Sequence, residues 1–176
     1  MISRETSIKN YKSSIKSRDL VSYHLDTVDE RNNYLKMSRF TAGTLEMRSW
    51  NLGTKQLVAV YEQVCDPICG ITQFNFFVVN GKSIEKQNIE DIIPGYATIY
   101  DDFVIKDNMT KELMEKFKRN EIIAYLLFRL PRTGNDITVL FGNEDTNETY
   151  TKFSKGNRML LKWTNGTFVK DKIYWD

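Results

Sequence analysis

Two strand-forming runs of similar length flank a short interruption near the middle of the chain, and this arrangement constrains the fold more than any other feature. Leu57-Val58-Ala59-Val60-Tyr61-Glu62-Gln63-Val64 and Ile71-Thr72-Gln73-Phe74-Asn75-Phe76-Phe77-Val78-Val79 are rich in β-branched and aromatic residues, and Cys65-Asp66-Pro67-Ile68-Cys69-Gly70 separates them. Such a pattern predicts an antiparallel hairpin. With Asp66, Pro67 and Ile68 as its loop, Cys65 faces Cys69, and counting down the ladder sets Val60 opposite Phe74 and Val58 opposite Phe76. On that register Val58, Val60, Phe74 and Phe76 form one buried face, while Tyr61, Gln73, Ala59 and Asn75 form a mixed or wet one.

Strand signals extend to either side. Leu20 to Leu25, Tyr34 to Phe40 and Thr44 to Leu52 read as strands; in the third, Leu45 and Met47 fall on one face and Glu46, Arg48 and Trp50 on the other. Asn80-Gly81 suits a tight turn, and Lys82 to Ile93 reads as a polar connection or short helix closed by Pro94-Gly95. Asn108 or Thr110 can cap a helix over Lys111 to Asn120, where Leu113, Met114 and Phe117 form an apolar stripe. Glu121 to Leu130 and Ile137 to Phe141 favour strands, and Arg158 to Lys170 reads as a closing hairpin with Asn165-Gly166 at its turn.

These elements predict an α+β fold: an antiparallel sheet of hairpins with one or a few short helices. The 176 residues fit a single domain, 1–176, with residues 1–18, rich in Lys, Arg and Ser, peripheral to it. The likeness of Phe76 to Lys82 and Leu160 to Gly166 raises a division into two similar halves, 20–94 and 95–176, which generic hairpin chemistry explains equally well.

Charge narrows the partners. Lys and Arg number 25 against 23 acids, a net charge of +2, so no strong field gathers polyanions, and nucleic acid is not expected as a partner. The longest apolar run, Ile122 to Phe128, is too short for a transmembrane helix. Met1 to Ser7 lacks the apolar stretch of a secretory leader, which leaves a cytoplasmic protein or one deprived of its leader.

No catalytic constellation emerges. His24 is the only histidine and has no nucleophile motif beside it, so it reads as a surface or structural residue. One His and two Cys make no zinc-ligand set, and no glycine-rich phosphate loop is present, so neither a metal nor a cofactor is called for. The acid pairs Glu90-Asp91, Asp101-Asp102 and Glu144-Asp145 lie in polar segments, and Glu62 sits near the hairpin end with an exit to solvent. Phe74, Phe76, Trp50 and Trp163 would line an apolar ligand site if one existed, but read more simply as core.

Val64-Cys65-Asp66-Pro67-Ile68-Cys69, the paired strands before it from Tyr34 to Met47, and the closing Leu161 to Phe168 hairpin together resemble an uncharacterised family of small secreted bacterial proteins, a domain of unknown function with a Val-Cys-x-Pro-x-Cys hairpin. The resemblance implies a periplasmic or secreted location and carries no catalytic residues.

Directly opposed residues of an antiparallel pair lie about 4.5–5.5 Å apart at Cα, within reach of a disulfide, so Cys65 and Cys69 are expected to clamp the hairpin tip. Their Cys-x-x-x-Cys spacing and the lack of a helix start at Cys65 argue against a thiol redox site. The function expected from all this is non-catalytic: binding of a protein or peptide through a sheet face or edge. A small-molecule or lipid-binding module and a thiol redox protein are the alternatives.

Overall fold

The computed structural model describes residues 23–39, 43–65, 69–119, 125–142 and 150–176. Most of them are strand, and the strands form two antiparallel sheets, which overturns the α+β expectation. The helices are small, Ile89–Ile92, Ile99–Phe103 and Lys111–Lys118 with two 3-10 turns, and serve as connections rather than as a layer. No helix among the described residues is long and apolar enough to cross a membrane.

The first sheet is a six-stranded meander in sequence order: β1 (Tyr23–Asp29), β2 (Tyr34–Arg39), β3 (Gly43–Leu52), β4 (Lys55–Cys65), β5 (Cys69–Asn80) and β6 (Ser83–Gln87). Its turns are local chemistry. Gly53 (φ 62°) and Gly81 (φ 59°) supply the left-handed backbone that two-residue hairpins require. β6 is the strand that polarity concealed: Ser83 to Gln87 is an exposed edge, so only Ile84 marks it as apolar.

The second sheet has the order β10-β9-β8-β7, from β7 (Leu126–Arg129), β8 (Ile137–Phe141), β9 (Arg158–Thr164) and β10 (Thr167–Tyr174). As expected, Asn165-Gly166 turns the β9–β10 hairpin, with both residues at positive φ. Thr110 caps the Lys111–Lys118 helix by accepting the Leu113 N–H at 3.2 Å.

The sheets share one core. From the first come Trp50, Leu57, Ala59, Tyr61, Phe74 and Phe76; from the second, Phe128, Ile137, Val139, Met159, Leu161 and Phe168. Ring contacts join them: Trp50 to Phe168 at 5.1 Å, Phe74 to Phe128 at 4.8 Å and Phe76 to Phe168 at 6.1 Å. The short helices close the side of this space with Ile92, Ile99 and Phe103, the last stacked on Phe141 at 4.8 Å.

The β4–β5 register departs from the sequence count at one residue. Cys65 pairs with Cys69 and Gln63 with Ile71, as expected, but Glu62 then pairs with Gln73, so Thr72 bulges out of the ladder. Below the bulge Tyr61 faces Phe74, Ala59 faces Phe76 and Leu57 faces Val78. A shift of one residue exchanges the faces of a strand. Leu57, Ala59 and Tyr61 therefore join Phe74 and Phe76 in the core, and Val58 and Val60 turn to the opposite side, where they are half-buried.

Candidate interaction face

Each face of the six-stranded sheet has its own chemistry. On the inner one, the alternation along β3 directs Glu46, Arg48 and Trp50 toward the second sheet, and all three are buried. The charged side of this strand is thus an internal one.

The segment after β7 explains why. The Leu130 N–H donates to Glu46 Oε2 at 3.0 Å, Arg48 Nη2 donates to the Gly134 carbonyl at 2.9 Å, and Trp50 Nε1 donates to the Asn135 carbonyl at 2.9 Å. At the rim Arg132 Nε meets Asp29 Oδ2 at 3.0 Å. Three successive inward residues of one strand hold three backbone groups of one irregular segment: the bonds satisfy the buried Leu130 N–H and give the buried Arg48 and Trp50 side chains acceptors on the exposed turn at Gly134 and Asn135.

Burial pushes the Glu46 carboxyl above its ordinary range, against the Leu130 N–H and the Lys36 ammonium, which pull it down. Burial also pushes the Tyr34 hydroxyl up to about 12, with the neighbouring Glu46 charge adding to it, and the Tyr61 hydroxyl, which accepts the Phe128 N–H at 3.3 Å, up to about 12. Burial lowers the Arg48 guanidinium. A carboxyl with a raised pKa beside a phenol has the composition of an acid–base pair. Here, however, the carboxyl is already engaged in holding the chain.

The other acids noted in the sequence have structural partners. Glu90 accepts the N–H groups of Gly95, Tyr96 and Ala97, at 3.0, 3.2 and 2.7 Å, and so ties down the turn after the first helix. Asp102 takes the Lys170 ammonium at 2.5 Å. Glu144-Asp145 lies outside the described residues. His24 is exposed on β1. Phe74, Phe76 and Trp50 are core, with Trp163 stacked on Trp50 at 5.7 Å, rather than the lining of a ligand cavity. Cys65 and Cys69 are backbone partners at the last rung of β4–β5.

The outer face is the unusual one. The registers place apolar residues side by side in rows across it: Val28, Leu35, Met47 and Val60 in one, Leu25, Met37 and Leu45 in the next, then Val58 with Phe77 and Val79 with Ile84. The same registers flank these rows with Ser49, Gln56, Gln73 and Asn75, and among the described side chains on this face Glu62, near the hairpin end of β4, and Lys86, on the edge strand, are the acid and the base. The apolar band runs the full width of the sheet, with Leu25 46%, Val28 44% and Ile84 68% exposed at its two edges. An antiparallel sheet with one solvated face ordinarily alternates apolar and polar along each strand; β4 from Leu57 to Tyr61 and β5 from Phe76 to Val79 do not, while Gln73 and Asn75 keep the alternation in the first half of β5.

One hydrogen bond gives this face its shape. The Tyr23 hydroxyl donates to Glu62 Oε1 at 2.6 Å, although β1 and β4 are separated by β2 and β3. Three strand spacings make about 14 Å in a flat sheet, before the further offset along the strands. Two side chains cannot comfortably span that, so the sheet curls toward its outer face at this end. Leu45 lies between them and is only 6% exposed.

Two clefts elsewhere among the described residues are shallow and of mixed lining. One lies between Asp102, Lys155, Met159, Lys170, Asp171 and Ile173, another between Asp107, Thr110, Glu112, Leu113, Lys116 and Lys152. No group of His, Cys, Asp and Glu suited to a metal ion occurs among the described residues.

No family model and no curated protein matches this chain. Among solved structures, a domain of an uncharacterized protein from Porphyromonas gingivalis W83 is similar at TM-score 0.61 and 13% identity, covering 94% of this chain and 88% of that one. The likeness is one of fold. It agrees with the coarse expectation of an uncharacterised relative and does not extend to the Val-Cys-x-Pro-x-Cys hairpin or to secretion.

Proposed function

We propose that this is a non-catalytic binding protein whose outer six-stranded sheet face receives a protein partner. The observation that carries the reading is the apolar band from Leu25 and Val28 across Met47 and Val60 to Phe77 and Ile84, with its charges at the margins. Large exposed apolar patches mark association surfaces, and charge depletion at the centre with polar groups at the rim is the anatomy of an interface. Binding a lipid or small molecule would favour an enclosed apolar pocket, whereas the two clefts described above are open to solvent and mix Asp and Lys with Met159, Ile173 and Leu113. A thiol redox role would favour a cysteine at a helix start, whereas Cys65 and Cys69 sit at opposed ends of two strands. That pairing supports a disulfide at the hairpin tip, and with it an oxidising envelope or extracellular location.

The test compares the native chain with Met47→Lys and Val60→Lys as baits in an extract of the native host, with circular dichroism to verify folding. A partner retained by the native chain and lost from both folded variants is expected. Equal retention by all three would reject the outer face as the binding surface.

A further inference from the structure

We propose that the outer sheet face binds a second copy of this chain, giving a face-to-face homodimer; the inference rests on the reading of that face as a binding surface. Width is the first argument. The apolar band reaches from β1 to β6, with Leu25 and Val28 exposed at one edge and Ile84 at the other. An extended peptide would cover about one strand spacing, roughly 5 Å, and leave most of the band wet. The occupant must be as broad as a sheet.

Area is the second. Six strands at about 4.8 Å, averaging between eight and nine residues at about 3.4 Å each, make a face of roughly 25 by 29 Å. That is on the order of 700 Å² in projection, close to the roughly 800 Å² per partner of a standard stable interface. One whole sheet face therefore suffices for a dimer, with no other surface recruited.

Shape is the third. A twisted sheet is a saddle; the Tyr23–Glu62 bond adds a local curl toward the outer face at one end, which puts that end at the rim of the contact. A saddle mates with an identical saddle when the two cross near a right angle, the orthogonal mode of sheet packing. The contact is isologous and closes on itself: each copy buries the same residues and neither is left with an open face. The central residues, Met47 and Val60, are directly paired on adjacent strands and would lie near the two-fold axis.

Sedimentation of the full chain over a dilution series, combined with peroxide footprinting of Met37 and Met47, tests this. The expected result is a species of twice the 20.7 kDa chain mass, with both methionines protected and becoming reactive on dilution. Met47→Lys or Val60→Lys brings two like charges together across the axis and should weaken the dimer by about a hundredfold or more. Val169→Lys, at an exposed apolar position of the second sheet, should leave it intact. A dimer indifferent to both outer-face lysines would overturn the proposal and place the contact elsewhere. A monomer with reactive methionines would overturn self-association while leaving the face open to a different protein. A monomer with protected methionines would mean the chain covers the face itself, overturning this proposal and the proposed function together. Footprinting of the native chain decides among the last two even if a lysine variant does not fold.

Discussion

Leu57→Ala and Val58→Ala, two adjacent truncations on β4, report opposite faces of the first sheet. Leu57 is 0% exposed, paired with Trp50 on one side and Val78 on the other. Trp50 cannot relax into the space that Leu57 would vacate, because its indole N–H is held by Asn135 and its ring is packed against Trp163 and Phe168. The cavity therefore persists, and the cost belongs in the middle of the range for buried leucines, about 3–4 kcal/mol. Val58 is half-buried on the outer face, so its two methyl groups forfeit only part of their transfer energy and leave no closed cavity, about 0.5–1 kcal/mol. Urea unfolding followed by tryptophan fluorescence reads both. With a slope of about 2 kcal/mol per molar, the midpoint falls by roughly 1.5–2 M for Leu57→Ala and by under about 0.5 M for Val58→Ala. The uninterrupted register predicts the reverse order. A larger loss for Val58→Ala at high dilution would refute the bulge and with it the assignment of the outer face.

Further outcomes can be checked with equally simple measurements. Cys65 and Cys69, opposed at the last rung of β4–β5, should resist alkylation under native-host conditions and give an intact mass two hydrogen atoms lower before reduction than after it; two freely alkylated thiols would reject the clamp and the envelope location. The Tyr61 hydroxyl, raised from 10.0 to about 12, favours the folded state while neutral, so its contribution is full below pH 10 and is lost as pH rises through the folded value. On the order of 2–3 kcal/mol should disappear from stability over that window, with late-ionising tyrosine absorbance marking the same group; normal ionisation of every tyrosine in the folded protein would contradict its burial. Glu46 has a folded pKa above 4.5, so ionising it weakens the fold as pH rises past that value. Glu46→Gln keeps an acceptor for the Leu130 N–H and should be no less stable at neutral pH than the native chain; a clear loss in thermal midpoint would make the carboxylate charge itself the stabilising feature.

What the sequence conveyed well was whatever depends on neighbouring residues. The Thr110 cap and the Asn165-Gly166 turn need only side-chain oxygens and left-handed backbone within a few positions, and both form where expected. What it hid depends on distant partners or on a tie. The sequence does not say which face of β3 is internal, because the partners of Glu46 and Arg48, the backbone groups of Leu130 and Gly134, lie 84 and 86 residues further along the chain. Ser83 to Gln87 reads as a connection because an exposed edge strand has little apolar signature. The β4–β5 register was a tie: Leu57, Ala59 and Tyr61 alternate with Val58, Val60 and Val64, so either set of residues is apolar enough to be core. That same tie created the candidate interaction face, and it is why the face went unrecognised until the ladder was known.

The bulge at Thr72 also bears on the order in which this sheet is assembled. A β4–β5 hairpin zipping from its loop starts in the frame of Cys65–Cys69 and Gln63–Ile71, and simple propagation would carry Val60 onto Phe74 and Val58 onto Phe76. Those pairs are apolar, so hydrophobicity alone raises little objection to that frame. The native frame beyond the bulge is the one that puts Leu57, Ala59 and Tyr61 with Phe74 and Phe76 against the second sheet. The two frames meet at a single looped-out residue. Packing against the second sheet selects between them, and deleting Thr72 would remove that junction and force one end of the hairpin into the other's frame.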